Sequence, residues 1–277
     1  MPKVSVIIPV FRVEEYISRC ARSLFGQTLD DIEYIFVDDC SPDNSIAILK
    51  NVLSEFPARI PQSRIERMPV NSGLAVVRKK GLKMAIGDYV ITCDSDDYID
   101  QEMYEAMYKS ATQIDADLVQ CDIEVRNEDQ VLRVLSSPVK EPDSNTLRGL
   151  IISGKISNSV CNKMVKRGLY QRPDFLFPAG DLDEDNVMSV QLACNAKKLV
   201  YVNKAFYKAC RNPISVTRNP GKEQTRKRLS ASKANSRIIV GFLRSRGFGR
   251  FSHPVMKARL RPLALLVRES LKRLRTH

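Results

Sequence analysis

The sequence predicts an α/β fold, a mostly parallel sheet with helices on both faces. Three observations point there. Short apolar runs rich in β-branched residues recur at Lys3–Phe11, Ile32–Asp39 and Tyr89–Cys93. Segments with helical spacing of apolar residues lie between them. Strand and helix alternate at the intervals of βαβ units. The chain has 277 residues, enough for a sizeable core.

The first run, "KVSVIIPVF", is apolar at nearly every position, as in a strand buried on both faces. Val13, Tyr16, Ile17, Cys20, Ala21, Leu24 and Phe25 then form one helical stripe. Glu14 and Glu15 are expected in its first turn, where the helix dipole favours acids, and Gly26 marks its end. "IEYIFVDD" is the second strand, and "CSPDNS" a turn leading into the helix "IAILKNVLSEF". "RIERMPV" reads as the third strand, Leu74–Ala85 as a helix and "DYVITCD" as the fourth strand. A helix to about Gln113 and a strand "ADLVQCDIEV" follow. Arg126–Asn145 reads as a polar stretch, "CNKMVKRGLY" and the segment after it as helical and irregular pieces, and "KLVYVNKAFYKAC" as a strand pair.

Composition narrows the chemistry. No apolar run approaches the length that spans a bilayer, and "MPKVSVIIPV" does not read as a signal peptide. The seven cysteines are scattered without a C-x-x-C pair, which fits neither a disulfide framework nor a zinc site and suits a reducing cytoplasm. The two histidines, His253 and His277, lie in a basic tail, so a histidine-based mechanism is not expected. The net charge is +12, but Pro220–His277 holds 16 Lys and Arg against only Glu223 and Glu269, while residues 1–219 hold 28 basic and 30 acidic residues. The basicity therefore belongs to the tail.

In a parallel sheet, ligands bind beyond the carboxyl ends of the strands. That rim gathers "PVF", "VDDCS" and "CDSDD". Asp94, Asp96 and Asp97 crowd three carboxylates into four residues, and carboxylates so close call for a cation, hydrogen bonds or a raised pKa. Hard oxygen ligands suit Mg²⁺ or Mn²⁺ held jointly with a substrate diphosphate. A solvated turn before the helix near Gln101 is the plainer alternative. Asp38–Asp39 ends a second rim strand, where a carboxylate can accept from a nucleobase or ribose. Gly73 permits close backbone approach at a helix start, a favourable place for anions, and Arg78 follows five residues later. In "GDLDEDNV", Asp181, Asp183, Glu184 and Asp185 precede a helix. Acids are ordinary there, but one facing an acceptor could act as a general base.

Taken in order, "VSVIIPVF", "EEYISRCARSLFGQT", "IEYIFVDDCS", "SGLAVVR" and "GDYVITCDSDD" resemble the nucleotide-sugar-binding half of family two glycosyltransferases, which share the GT-A (Rossmann-like) fold. "NKMVKRGLY", "FPAGDLDEDNVMSVQL" and "FYKACRNPISVTR" resemble the acceptor half of the bacterial capsule and cell-surface polysaccharide members. The resemblance spans roughly residues 3–218. It implies a metal-dependent inverting transferase that moves a sugar from a nucleotide-diphosphate donor, most often UDP-linked, to a glycan or lipid-linked glycan acceptor. By position it places Pro9, Val10, Phe11 and Glu14 around the nucleotide, and Asp39 against the base. Gly73, Arg78 and Ser95 join them on the donor side. Asp94 and Asp96 form the D-x-D, Asp96 being the main contact to Mn²⁺ or Mg²⁺. Glu184–Asp185 matches the base position, with Asp185 the base. Arg211–Thr217 becomes a mobile donor loop with Ser215 in the matching place. Two departures stand out: Cys40 where the family has glycine, and Cys161 where it has an aromatic.

The expected organisation is a nucleotide-sugar half (1–113), an acceptor half (114–219) and a basic helical C-terminal extension (220–277). In the extension Leu263, Leu266, Val267, Leu271 and Leu274 make an apolar stripe, Pro262 suits a helix start, and Arg268, Lys272 and Arg275 face the other side. Such a segment can lie on an anionic membrane as a peripheral contact at the inner face of the cell membrane, or pack on the domain. No nucleic-acid partner is expected, since no nucleic-acid module is recognisable. A sugar nucleotidyltransferase would need a glycine-rich loop after the first strand, and "PVFRVEEY" has no glycine. A non-catalytic nucleotide- or glycan-binding protein would not need both Asp96 and Asp185.

Overall fold

The computed structural model describes residues 1–128, 130–212 and 222–274, with side chains in the last stretch described for 225–265. Ser215 and most of its loop, and the tail side chains from Leu266 onward, lie outside the described residues.

The fold is α/β, with one curled sheet at its centre. β1 (Val4–Val10) lies between β2 (Ile32–Asp38) and β4 (Tyr89–Thr92), and β3 (Ser63–Arg67) lies outside β2, all parallel. β2 is buried along its whole length, as its apolar run requires. α1 (Ile17–Phe25), α2 (Ser45–Ser54) and α3 (Leu74–Met84) are the crossovers. Pro9 sits inside β1 without cost. The Ile7 carbonyl accepts from Cys93 on the β4 side and the Val10 carbonyl from Asp39 on the β2 side. In a parallel strand, alternate residues bond to the same neighbour, so the missing N–H of Pro9 faces β4. Pairing with β4 stops at Ile7, and no ladder donor is needed there.

Beyond β4 the sheet continues through β8 (Lys163–Lys166), β6 (Leu118–Asn127) and β9 (Leu199–Cys210) to β5 (Tyr98–Ile99). β7 (Gln130–Leu135) pairs with β6 as a hairpin. α4 (Met103–Ile114), α5 (Ser144–Ser153), the short α6 (Arg167–Tyr170) and α7 (Glu184–Asn195) complete this part. Here the structure corrects the sequence reading three times. The polar stretch after Arg126 contains β7, whose Val131 and Val134 are exposed and so gave no core pattern. "CNKMVKRGLY" contains β8, an antiparallel bridge between β4 and β6 that begins with a buried lysine. The expected strand pair is one strand, β9. Its register with β6 jumps from Cys121↔Val202 to Ile123↔Tyr207, so that residues 203–206 bulge out of the ladder within one strand.

Glu14 is a further correction. α1 begins at Ile17, so Glu14 and Glu15 are not in its first turn. The Glu14 carboxylate instead accepts from the Asn44 amide at 3.0 Å, at the start of α2.

α8 (Lys222–Ser245) and α9 (His253–Leu274) pack on the domain, with Ile239, Leu243, Val255 and Ala258 in the common core. Pro262 lies inside α9, not at its start. A proline cannot donate to the carbonyl four residues earlier. That carbonyl, of Ala258, accepts from Ser236 Oγ of α8 at 2.5 Å, so the partner helix supplies the missing donor.

Cys40, just past β2, has φ +60°. The left-handed region is strained for a side chain and open to glycine. We expect Cys40→Gly to raise stability by up to about 1 kcal/mol, read as a higher midpoint in thermal unfolding.

Candidate active site

The carboxyl ends of β1, β2 and β4 share one rim. Its deepest feature is Arg78 of α3, a guanidinium only 1% exposed. Nη1 donates to Glu184 Oε1 at 2.9 Å and to Asp185 Oδ1 at 2.6 Å. Nη2 donates to Asp94 Oδ1 at 2.8 Å and lies 3.8 Å from Cys161 Sγ. The resemblance puts Arg78 near the base or phosphate; here its guanidinium joins the acidic turn after β4 to the first turn of α7. One cation faces three carboxylates, so the cluster carries an excess of negative charge. Burial, reinforced by Asp185, pushes the Glu184 carboxyl up to about 8. Burial and Asp94 also raise Asp185, against the pull of Arg78. Among the described residues none bonds to Asp185 Oδ2, and the side chain is 29% exposed.

The three crowded aspartates after β4 have three different surroundings. Asp97 turns inward, its Oδ2 accepting from Tyr207 Oη at 2.6 Å and its Oδ1 from the Cys210 amide at 2.7 Å. The Tyr207 hydroxyl also accepts from the Asp94 amide at 3.1 Å. β9 therefore fixes the turn through one tyrosine and one acid. Asp94 faces Arg78. Asp96 is half-buried, and its Oδ2 accepts from Asn212 Nδ2 at 3.1 Å. Burial and the neighbouring Asp94 raise the Asp96 pKa. Ser95 is buried between them.

A divalent cation fits this corner on chemical grounds. Asp96 is a hard oxygen donor whose negative charge is disfavoured by its surroundings, which is the condition a bound cation relieves. Among the described residues no group of three or more His, Cys, Asp or Glu side chains is placed to hold a metal ion.

Asp39 is buried. Its Oδ1 accepts from the Ser72 amide at 2.7 Å, and its Oδ2 from the Gly73 amide at 2.9 Å and from Asn71 Nδ2 at 3.0 Å. Asp181 Oδ1 accepts from the Ala75 amide at 2.9 Å. The anion-favouring start of α3 thus holds two of the chain's own carboxylates. Gly73 has φ +87°, a conformation that favours glycine, and a Cβ there would meet Asp181 Oδ2 at 2.5 Å and push that carboxylate aside. Val10 is buried, Pro9 half-buried, and Phe11 is 37% exposed with Arg12 over its ring. Glu14 lies exposed beside Asn44.

The sequence reading missed Lys163. It is fully buried, and its Nζ donates to the Ser157 and Ser159 carbonyls at 2.8 and 2.6 Å and to Asn162 Oδ1 at 3.1 Å. Burial pulls it down to about 7, while the charge of Asp185 pushes it up. Tyr207 and Asn212 were missed too, because nothing in a tyrosine or asparagine of a distant segment signals which turn it will hold.

The model of glycosyl transferase family 2 matches residues 5–172. The chain belongs to glycosyl transferase family 2. Glycosyltransferase GlyA of Streptococcus pneumoniae serotype 4 is 30% identical over 215 residues, 74% of this chain and 30% of that protein. The uncharacterized glycosyltransferase EpsJ of Bacillus subtilis is 28% identical over 231 residues, 80% of this chain and 65% of that protein. The chain thus spans less than two thirds of each of these relatives. The crystal structure of S. aureus TarS 1–349 in complex with UDP-GlcNAc has a TM-score of 0.67 at 22% identity, covering 94% of this chain and 79% of that one. That likeness establishes the shared GT-A fold.

Breaking a buried ion pair by removing one partner costs about 3–5 kcal/mol. We expect Arg78→Met to lose stability on that scale in denaturant titration. Arg78→Lys should recover only part of it, since one ammonium cannot reproduce the planar fork that reaches both sides.

Proposed function

We propose that this protein is an inverting glycosyltransferase that transfers a sugar from a nucleoside-diphosphate donor, UDP-linked, to an acceptor hydroxyl during synthesis of a cell-surface polysaccharide. One observation carries the reading: the acid that ends β4 and the acid that opens α7 meet on a single buried guanidinium at the ligand rim. Family membership and the UDP-GlcNAc complex of TarS support it.

Asp185 takes the acceptor proton. Its Oδ1 is fixed by Arg78, which orients the carboxylate, while among the described residues none bonds to Oδ2. A base with a raised pKa holds a proton better once it has taken it, and general-base catalysis of this kind typically gives about 10²–10⁴-fold. Glu184, more deeply buried, shares the Arg78 charge and sets the field around Asp185. Asp96, with Asp94 beside it, would hold the divalent cation, Mg²⁺ or Mn²⁺. When bound, that cation supplies positive charge to the departing diphosphate. Phe11 offers an exposed ring at the end of β1 for the nucleobase, beside Pro9 and Val10. Asp39 acts there by fixing the Ser72–Gly73 backbone at the edge of the same pocket. Ser95 and Ser215 complete the donor side in this reading.

A sugar nucleotidyltransferase is disfavoured by the loop after β1. The amides of Arg12, Val13 and Glu14 donate to Ser41 Oγ, Ser45 Oγ and Asp43 Oδ2 at 2.8, 3.0 and 3.1 Å. They are therefore engaged within the chain and not presented to a phosphate.

The acceptor in this reading is a glycan carried at the inner face of the cell membrane, with peripheral contact through α8 and α9. No helix among the described residues is long and apolar enough to cross a membrane. A groove of about 670 Å³ lies between α8 and α9, its lining including the apolar Val240 and Leu263 and the cations Lys233, Arg237, Arg244 and Arg259. Apolar surface rimmed by cations matches the headgroup region of an anionic bilayer, where each cation contributes about 1 kcal/mol.

Two tests follow. Across a panel of nucleotide sugars with Mn²⁺ or Mg²⁺, we expect release of nucleoside diphosphate from a UDP-linked donor. Asp96→Ala should abolish the metal-dependent rate, and Asp185→Asn should retain UDP binding but lose transfer by at least about 100-fold; full transfer by Asp185→Asn removes it as the base. In sedimentation with vesicles, the protein should bind phosphatidylglycerol and not phosphatidylcholine. Arg237→Glu/Arg244→Glu should release it without changing donor turnover; undiminished binding by this variant refutes the contact.

A further inference from the structure

The loop that leads into Glu184 and Asp185 makes few bonds to its own neighbourhood in sequence and many to the C-terminal helices. Ala179 N donates to Asn235 Oδ1 at 2.7 Å. Asn235 Nδ2 donates to the Gly180 carbonyl at 3.0 Å and to the Leu182 carbonyl at 2.7 Å. Ser232 Oγ, one turn earlier on α8, donates to Asp183 Oδ2 at 2.8 Å. Arg261 Nη2 of α9 donates to Asp183 Oδ1 at 2.8 Å. Asn235 and Ser232 are both fully buried. The backbones approach so closely that a Cβ on Gly180 would lie 2.9 Å from the Ala231 Cβ.

Asp183 is the residue just before α7 and has φ +65°. A non-glycine residue in the left-handed region persists when its surroundings over-determine it. Here two donors from two different helices hold its carboxylate, and the next two residues are Glu184 and Asp185. On its other side the same loop reaches α3, through Asp181 on the Ala75 amide, one turn from Arg78. The loop is thus held between the helix that carries the guanidinium and the C-terminal helix pair.

We propose that Asn235 of α8 is a positioning residue for the transfer reaction: with Ser232 and Arg261 it clamps loop 179–183, so that Asp185 meets Arg78 and the acceptor hydroxyl in register. The basic C-terminal helices are then a working part of the active site at one remove, not an appendage. This rests on Asp185 being the base.

A small displacement of a catalytic group costs about 100-fold in rate. In the full-length protein, Asn235→Ala should therefore lower the transfer kcat about 10- to 100-fold, with UDP affinity in the presence of Mn²⁺ unchanged within about twofold. Hydrogen exchange should quicken at the amides of residues 179–185 and not across β1, β2 and β4. Should Asn235→Ala fail to fold, Ser232→Ala/Arg261→Ala removes both bonds to Asp183 without touching Asn235. It should show the same split, with Ser232→Thr, which keeps the hydroxyl, retaining activity. Wild-type kcat in a folded clamp variant overturns the proposal. So does a loss shared equally by UDP affinity, which is the mark of general loosening. Asp185→Asn is measured alongside: if it keeps transfer, the base assignment fails, and quickened exchange at 179–185 in Asn235→Ala still reports whether the clamp exists.

Discussion

The arrangement depends on one buried guanidinium. Arg78 is a long side chain almost without solvent contact, and burying a charge is tolerable only when it is paired and hydrogen-bonded. Its partners come from two parts of the chain far apart in sequence, Asp94 at the end of β4 and Glu184–Asp185 at the start of α7. The electrostatic requirement therefore becomes a geometric one, because α3 cannot bury its arginine unless both walls of the cleft close on it. Burial keeps the carboxyls of Glu184 and Asp185 above their ordinary range, reinforced by the neighbouring acids and opposed by Arg78. The same pairing that stabilises the fold leaves one of those acids able to accept a proton.

Around that centre the backbone is set by the chain's own anions. Asp39 and Asp181 take the amides at the start of α3, Asp97 takes the Cys210 amide and the Tyr207 hydroxyl, and Asp43 with Ser41 and Ser45 takes those after β1. Rim loops in other nucleotide-binding folds offer such donors to phosphate. Here they are used internally to stiffen the rim.

Much of this was legible in the sequence, for physical reasons. β1, β2 and β4 are buried on both faces and so read as continuous apolar runs, which fixed the parallel half and the position of the rim. Asp94, Asp185 and Arg78, which the structure bonds together, each lie in a motif that the sequence singled out. What could not be read was pairing across distance. The resemblance puts Arg78 on the donor side, and nothing in its motif shows that it is buried against Asp94, Glu184 and Asp185. Asp97 looked like its neighbours and is turned inward by Tyr207, some hundred residues on. β8 was hidden by its brevity and by Lys163, since a lysine does not announce that three oxygen acceptors await it inside. Nor does any composition rule reveal that Asn235, in a stretch conspicuous for its cations, matters through an uncharged amide.

β9 joins these themes. It is a single bulged strand, parallel to β6 along much of its length, that then pairs with β5 and delivers Tyr207 and the Cys210 amide to Asp97. One continuous piece of backbone thus supports both β6 and the acidic turn after β4. An exchange of segments between relatives would have to carry the strand whole. A crossover placed within Leu199–Cys210 would hand the acidic corner to a tyrosine that evolved against a different bulge.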